Sequence, residues 1–323
     1  ALSCPLPETL KKKIIYCVLG IIVIQGTLSI TQVMLGSSIG LGILGEASSL
    51  GPGEDFLKKD IRCSGTISGS NAFAGYMAML LTFLLPYILV RRSILYYSLY
   101  GVGFFSLILS LSRAGWLSFI IGSLLILFVM HRFKILHFIH VMLFVVTILV
   151  IITIGASFHF DKIKSRFVDR EAISSATGRI TQFYGAWEVI QKHPVVGIGP
   201  GITEFFGRWN NNRIYIKKAL PGIDMPNQVH NSHLQVFIES GFPGLIIFTL
   251  ITISIFIFLF RKAGKEPGDN LMMLLRIGGT GASIAVITHI SFGTEFNNSH
   301  IFLVFWTLLG ISRNKSVYNL KKF

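Results

Sequence analysis

Eight stretches of the 323-residue chain are apolar for long enough to cross a bilayer, and they leave room for little but a membrane helix bundle. Crossing roughly 30 Å of hydrocarbon takes about 20 mostly apolar residues in a helix. The stretches are residues 14–36, 71–90, 93–112, 114–130, 138–155, 241–260, 271–290 and 297–312. Only 14% of the residues are charged, against about 25% in soluble domains, and the mean hydropathy is +0.65. A cytosolic enzyme, a secreted disulfide scaffold and a nucleic-acid binder are thereby excluded. Three cysteines (Cys4, Cys17 and Cys63) make no framework. Lys11, Lys12 and Lys13 precede the first run as they would in a signal peptide, but the run stays uncharged to Gly45, too long for a signal core.

The net charge of +14 is mostly topological. With the amino terminus inside, the inner segments hold 15 of the 29 basic residues against three acids, and the outer segments hold 14 against 12. Basic residues collect on the cytoplasmic side, so both termini are expected inside. Arg276, early in the seventh stretch, is expected to snorkel to the inner headgroups. Two outer segments are too long to be plain connectors, residues 37–70 and residues 158–240. The expected architecture is all-α: a polytopic bundle of about eight spans, divided into 1–157, a large outer loop over 158–240, and 241–323. Within the loop, Ile180, Phe183, Tyr184, Trp187 and Ile190 follow helical spacing, with Gln182, Glu188 and Gln191 opposite. Such an amphipathic helix suits the membrane surface.

The densest polar cluster is Asn227-Gln228-Val229-His230-Asn231-Ser232-His233, and His230, His233, Leu234 and Phe237 share one helical face. A histidine at the membrane surface takes a proton near neutral pH, as activation of a hydroxyl requires. Hydrogen bonding within the loop is the alternative role for both histidines. There is no H-E-x-x-H and no D-x-D, so no metal is expected, and arginines must neutralise any diphosphate. Arg113, at a nearly loopless junction between the third and fourth stretches, is one. Arg62 lies ahead of the second stretch, and Arg179 begins the amphipathic helix. Guanidinium groups bind phosphate oxygens bidentately, and lipid phosphates are the alternative partner. Gly197-Ile198-Gly199-Pro200-Gly201 lacks the ending of a phosphate loop and reads as a tight turn. Segment 205–225, with Arg208, Trp209, Arg213, Tyr215, Lys217 and Lys218, is either an acceptor-binding surface or a solvated face.

His230-Asn231, nine residues, Gly241, two residues and Gly244 form the pattern H-[N/S/Q]-x9-G-x-x-G. With Thr177-Gly178-Arg179, Trp187, His193-Pro194, the glycine turn, Ser112-Arg113-Ala114-Gly115 and Arg62…Gly65-Thr66…Asn71, it resembles the O-antigen ligase and polymerase superfamily over residues 62–260. The resemblance implies a GT-C-like membrane glycosyltransferase of the bacterial cytoplasmic membrane, with the large loop periplasmic or extracellular. It also implies that amino-terminal spans of such an enzyme are missing here. The implied donor is a glycan on polyprenyl (undecaprenyl) diphosphate. The acceptor is a glycan, lipid A–core or a protein, and membrane lipids surround the enzyme. His230 would be the general base, Arg113, Arg179 and Arg62 the diphosphate neutralisers, and Asn231 or His233 the orienting group. With no paired carboxylates for a covalent intermediate, a single inverting displacement without cofactor is expected. A flippase for the lipid-linked glycan is the competing reading. It is disfavoured because the spans are nearly clean, apart from the stretch from Gln25 to Gln32, while polar residues gather outside.

Overall fold

The computed structural model describes residues 6–47, 62–136, 142, 183–187, 189–199, 229, 231–262, 270–293 and 299–314. Its long elements are all helices: α1 (Glu8–Leu35), α2 (Ser70–Arg91), α3 (Ile94–Leu109), α4 (Arg113–Arg132), α5 (Ser232–Lys262), α6 (Asn270–Ile290) and α7 (Ser299–Ser312). Apart from residue 142, the expected stretch 138–155 lies outside the described residues. Among the described residues, α1, α2, α4, α5 and α6 are long and apolar enough to cross a membrane. Helices α3 and α7 have only 16 and 14 residues, about 24 and 21 Å at 1.5 Å per residue. Among the described residues five helices are thus full-length candidate spans and two are shorter, in a multi-pass helical membrane protein.

The described residues fall into two compact units. The first is drawn from Ala1–Phe158, Ile255–His289 and Asn298–Phe323, and the second from His159–Ser254 and Ile290–Asn297.

In the first unit α2 is the central helix. It is apolar on every side, 16 of its 22 residues are buried, and α1, α3, α4 and α7 pack on it. A helix without a polar face belongs in such a position. Lipid is as apolar as leucine, so membrane helices associate through close packing, which small residues allow. Helix α6 supplies them: a Cβ on Gly278 would fall on the Phe83 carbonyl of α2, one on Gly279 on Ser312 of α7, and one on Gly281 on Ile126 of α4.

Arg276 departs from expectation. It does not reach headgroups but is 3% exposed, and its Nη2 donates to the Asn314 carbonyl just past α7 at 2.6 Å. The last carbonyls of a helix lack intrahelical donors, so the guanidinium finds a partner inside the protein.

The two glutamines that interrupt the first span also have a structural use. Gln32 Oε1 accepts from the backbone N–H groups of Ser64 and Gly65 at 3.0 and 2.9 Å. Its Nε2 donates to Glu46 Oε1 and the Gly65 carbonyl at 2.7 and 2.9 Å. Gln25 accepts from the Thr66 N–H and donates to Thr66 Oγ1. The described parts of residues 37–70 are thus tied to α1. Burial pushes the Glu46 carboxyl up, but hydrogen bonds from Ile39 N–H, Gln32 and the N–H groups of Leu41 and Gly40 outweigh it and hold the pKa below the ordinary value.

In the second unit, residues 183–187 and 189–192 are helical. Ala186, Val189 and Ile190 pack with Ile198, Val229 and Ile238, and with Leu234 and Phe237 of α5, into one apolar core. The expected apolar face is therefore divided. Ile190 faces protein, whereas Phe183, Tyr184 and Trp187 are exposed.

The glycine seam predicts a mutational contrast. Gly278→Val should lower thermal stability in detergent by about 1–3 kcal/mol through overpacking against the α2 backbone. Gly101→Ala has nothing within 4 Å of its new Cβ and should leave the melting temperature unchanged or slightly raised. Equal melting temperatures for the two variants would refute close α2–α6 packing.

Candidate active site

The polar cluster places its described members at the start of α5. Asn231 Oδ1 accepts from the Leu234 N–H at 2.9 Å, capping the helix, and its Nδ2 donates to the Ser291 carbonyl at 3.0 Å. Ser232 Oγ donates to the Gly293 carbonyl at 3.0 Å. The two residues that follow His230 are therefore pinned to the turn after α6. His230 itself lies outside the described residues. His233 packs edge-on against Phe248, with ring centroids 5.1 Å apart.

That last contact reveals the shape of α5. Fifteen residues along an unbroken helix cover roughly 22 Å, so rings at 233 and 248 meet only if the chain folds back between them. It does so at Gly241, whose φ of 65° and ψ of −162° fall in a region open almost solely to glycine. The part beyond the bend, residues 242–262, is by itself about 31 Å long, enough to cross a bilayer. In a regular helix the Ile238 carbonyl would accept from Phe242 N–H, and the Glu239 carbonyl from residue 243, which is proline and has no N–H. The glycine turn supplies the missing partners. Ile198 N–H donates to the Ile238 carbonyl at 2.9 Å, Gly199 N–H to the Glu239 carbonyl at 3.0 Å, and Phe242 N–H to the Pro194 carbonyl at 2.9 Å. Gly197 and Gly199 take φ of 71° and 92°. A Cβ on Gly197 would meet the Ile238 carbonyl at 2.5 Å, and one on Gly241 would fall on the Val195 carbonyl. The described part of the glycine-rich sequence, residues 197–199, is a tight turn built for backbone contact, as the missing phosphate-loop ending implied.

The second group of predicted residues lies in the first unit, at the α3–α4 junction. Leu111 takes φ of 51°, which turns the chain sharply. Ser112 Oγ then accepts from Gly115 N–H at 3.3 Å to cap α4, and Trp116 Nε1 donates to the Leu107 carbonyl at 3.0 Å. Arg113 is thus the first residue of α4. Arg62 Nε donates to the Ser110 carbonyl at 3.1 Å and Nη2 to Asn71 Oδ1 at 2.9 Å, which brings its guanidinium to the same junction. Cys63 beside it is no nucleophile: burial pushes its thiol up to about 12, against smaller lowering by Ser29 and Arg62. Arg179 and segment 205–225 lie outside the described residues. Sequence reasoning missed the Ser291–Gly293 anchor, which carries no motif. The capping role of Asn231 was legible in its position three residues before Leu234.

The bend predicts a local signature. Gly241→Ala adds a Cβ against the Val195 carbonyl at a strained φ, so hydrogen exchange at the amides of Ile198, Gly199 and Phe242 should accelerate by at least tenfold, roughly 1.4 kcal/mol of lost protection. Unchanged protection at those amides would contradict the backbone latch.

Residues 99–249 match the O-antigen ligase family, a stretch that begins within α3, takes in Arg113 and ends in α5 beyond the bend. No curated protein matches the chain significantly. The matched stretch contains both the arginine-bearing junction and the polar start of α5, and it supports a place for the chain in the O-antigen ligase/polymerase superfamily.

Proposed function

We propose that the protein is a metal-independent, inverting glycosyltransferase that moves a glycan from polyprenyl diphosphate to an acceptor hydroxyl on the outer face of the membrane, as an O-antigen polymerase or ligase. One observation carries this reading: the family match over 99–249 encloses both the Arg113 junction and the His230-Asn231 sequence.

The chemistry follows from the leaving group. A lipid diphosphate departs as a stable anion, so the demand is for positive charge rather than a strong acid. Arg113 occupies the first position of α4, where the helix dipole already points its positive end. A cation there opposes the dipole, and a bound anion relieves both. Arg62, braced by Asn71 and Ser110, would reinforce this field, with Arg179 from the loop. His230 takes the proton of the acceptor hydroxyl as its oxygen bonds to the anomeric carbon, and the bond from that carbon to the diphosphate breaks. Asn231 fixes the backbone that carries His230 through its cap and its bond to Ser291. His233 has the sequence position to orient the imidazole or the acceptor.

His230→Ala and Arg113→Ala should each reduce transfer by at least about a hundredfold, the scale of a lost base or charge stabiliser, with membrane insertion intact. Near-normal turnover from either variant would remove that residue from the site. Activity should survive EDTA and the product should carry the inverted anomeric configuration; divalent-ion dependence or net retention would overturn the mechanism. Envelope glycans from cells lacking the gene distinguish the two activities. Unpolymerised single repeats on the acceptor mark a polymerase, and polymer stranded on its carrier marks a ligase. An unchanged profile would contradict both.

A further inference from the structure

The exposed aromatic face of the 183–192 segment has no role in the chemistry above, and its surroundings say what covers it. Phe183 and Trp187 stack with planes 5° apart and centroids 6.5 Å apart, and both they and Tyr184 turn away from the apolar core formed by Ala186, Val189 and Ile190. Val195 and Val196 follow within one turn and are more exposed still, at 63% and 76%. Pro194 accepts the Phe242 N–H at 2.9 Å, so this apolar surface joins the membrane-crossing part of α5 at its first residue. Phe242 is itself exposed, and Ile246, Ile247 and Leu250 carry the exposed apolar face down the span. Among the described residues this span is packed against little of the protein, which leaves its apolar face open to a bilayer. Trp187 is seven residues from Pro194, and with the helix ending at Lys192 that is at most roughly 15 Å along the chain, which keeps the aromatic face within reach of the plane where α5 enters the bilayer.

We propose that Phe183, Tyr184 and Trp187, continued by Val195, Val196 and Phe242, form an interfacial anchor that seats this unit at the headgroup–acyl boundary of a phospholipid bilayer. The residue types fit the place. Tyr and Trp combine an apolar body with a polar tip and collect at that boundary, and apolar faces of surface helices sink about 5–10 Å into it. A sugar-stacking platform would use the same aromatic rings, but sugar recognition needs several fixed polar groups around them. The six side chains offer only the Tyr184 hydroxyl and the Trp187 indole N–H. The anchor holds whether or not the protein transfers glycans, and its test reads lipid depth rather than turnover.

The test uses the full chain in phosphatidylcholine/phosphatidylglycerol liposomes, with phosphatidylcholine brominated either near the headgroup or near the chain end. The difference between wild type and Trp187→Phe isolates Trp187 among the four tryptophans. Its emission should be blue-shifted and quenched at least about twofold more by the shallow bromines than by the deep ones. Trp187→Tyr provides the same subtraction should Trp187→Phe disturb folding. Quenching by neither lipid would overturn the anchor, as would stronger quenching by the deep one. Lipid-insensitive emission that shifts on adding acceptor oligosaccharide would overturn it in favour of a sugar platform.

Discussion

A backbone N–H or carbonyl buried without a partner is costly, so a break in a helix must be repaired by other groups of the protein. The bend at Gly241 is such a break, and the second unit is organised by its repair. Pro243 removes one donor, Gly241 turns the chain, and the carbonyls of Ile238 and Glu239 go to the amides of Ile198 and Gly199. The backbone of the 194–199 turn serves this exchange. Gly197 allows backbone to meet backbone, and the positive φ values aim successive amides at α5. The spacing of nine residues between His230-Asn231 and Gly241 then has a physical meaning. It is the length of the arm that Asn231 caps at one end and the bend terminates at the other.

The first unit meets the same constraint by different means. Gln25 and Gln32 place amides on an otherwise apolar helix, and those amides are consumed by the Ser64–Thr66 backbone and by Glu46. Arg276 gives a hydrogen bond to the end of α7. Glycines on α6 bring four helices into contact without a hydrophobic driving force. On this frame the α3–α4 junction holds Arg113 at a helix start, with Arg62 braced beside it.

Much of this was legible in the sequence, because apolar length alone identifies spans. The seven long helices, α1 to α7, fall on seven of the eight stretches so read. Glycine and proline marked the turn at 197–199 and the start of the crossing part of α5, although nothing in the sequence revealed that these two places bond to each other. Periodicity found the helix around 183–192 but not its orientation. An apolar residue facing protein and one facing lipid look alike, so Ile190 and Trp187 were assigned one face when the structure gives them two. Arg276 misled for a related reason, since its partner, the Asn314 carbonyl, is a backbone group contributed by the fold. Of the site residues, Asn231 and Arg62 have partners that explain their positions, while His230 and Arg179 rest on sequence and resemblance.

The central claim is that the glycan leaves its carrier at this protein. The most direct test places the intact chain in liposomes with polyprenyl-diphosphate-linked glycan labelled in the sugar, adds acceptor outside, and follows the label and the freed carrier together. Glycosyl transfer predicts label on the acceptor and one polyprenyl diphosphate released for each bond formed. Label that crosses the bilayer still attached to its carrier, with no diphosphate released, would contradict the account and make the protein a transporter.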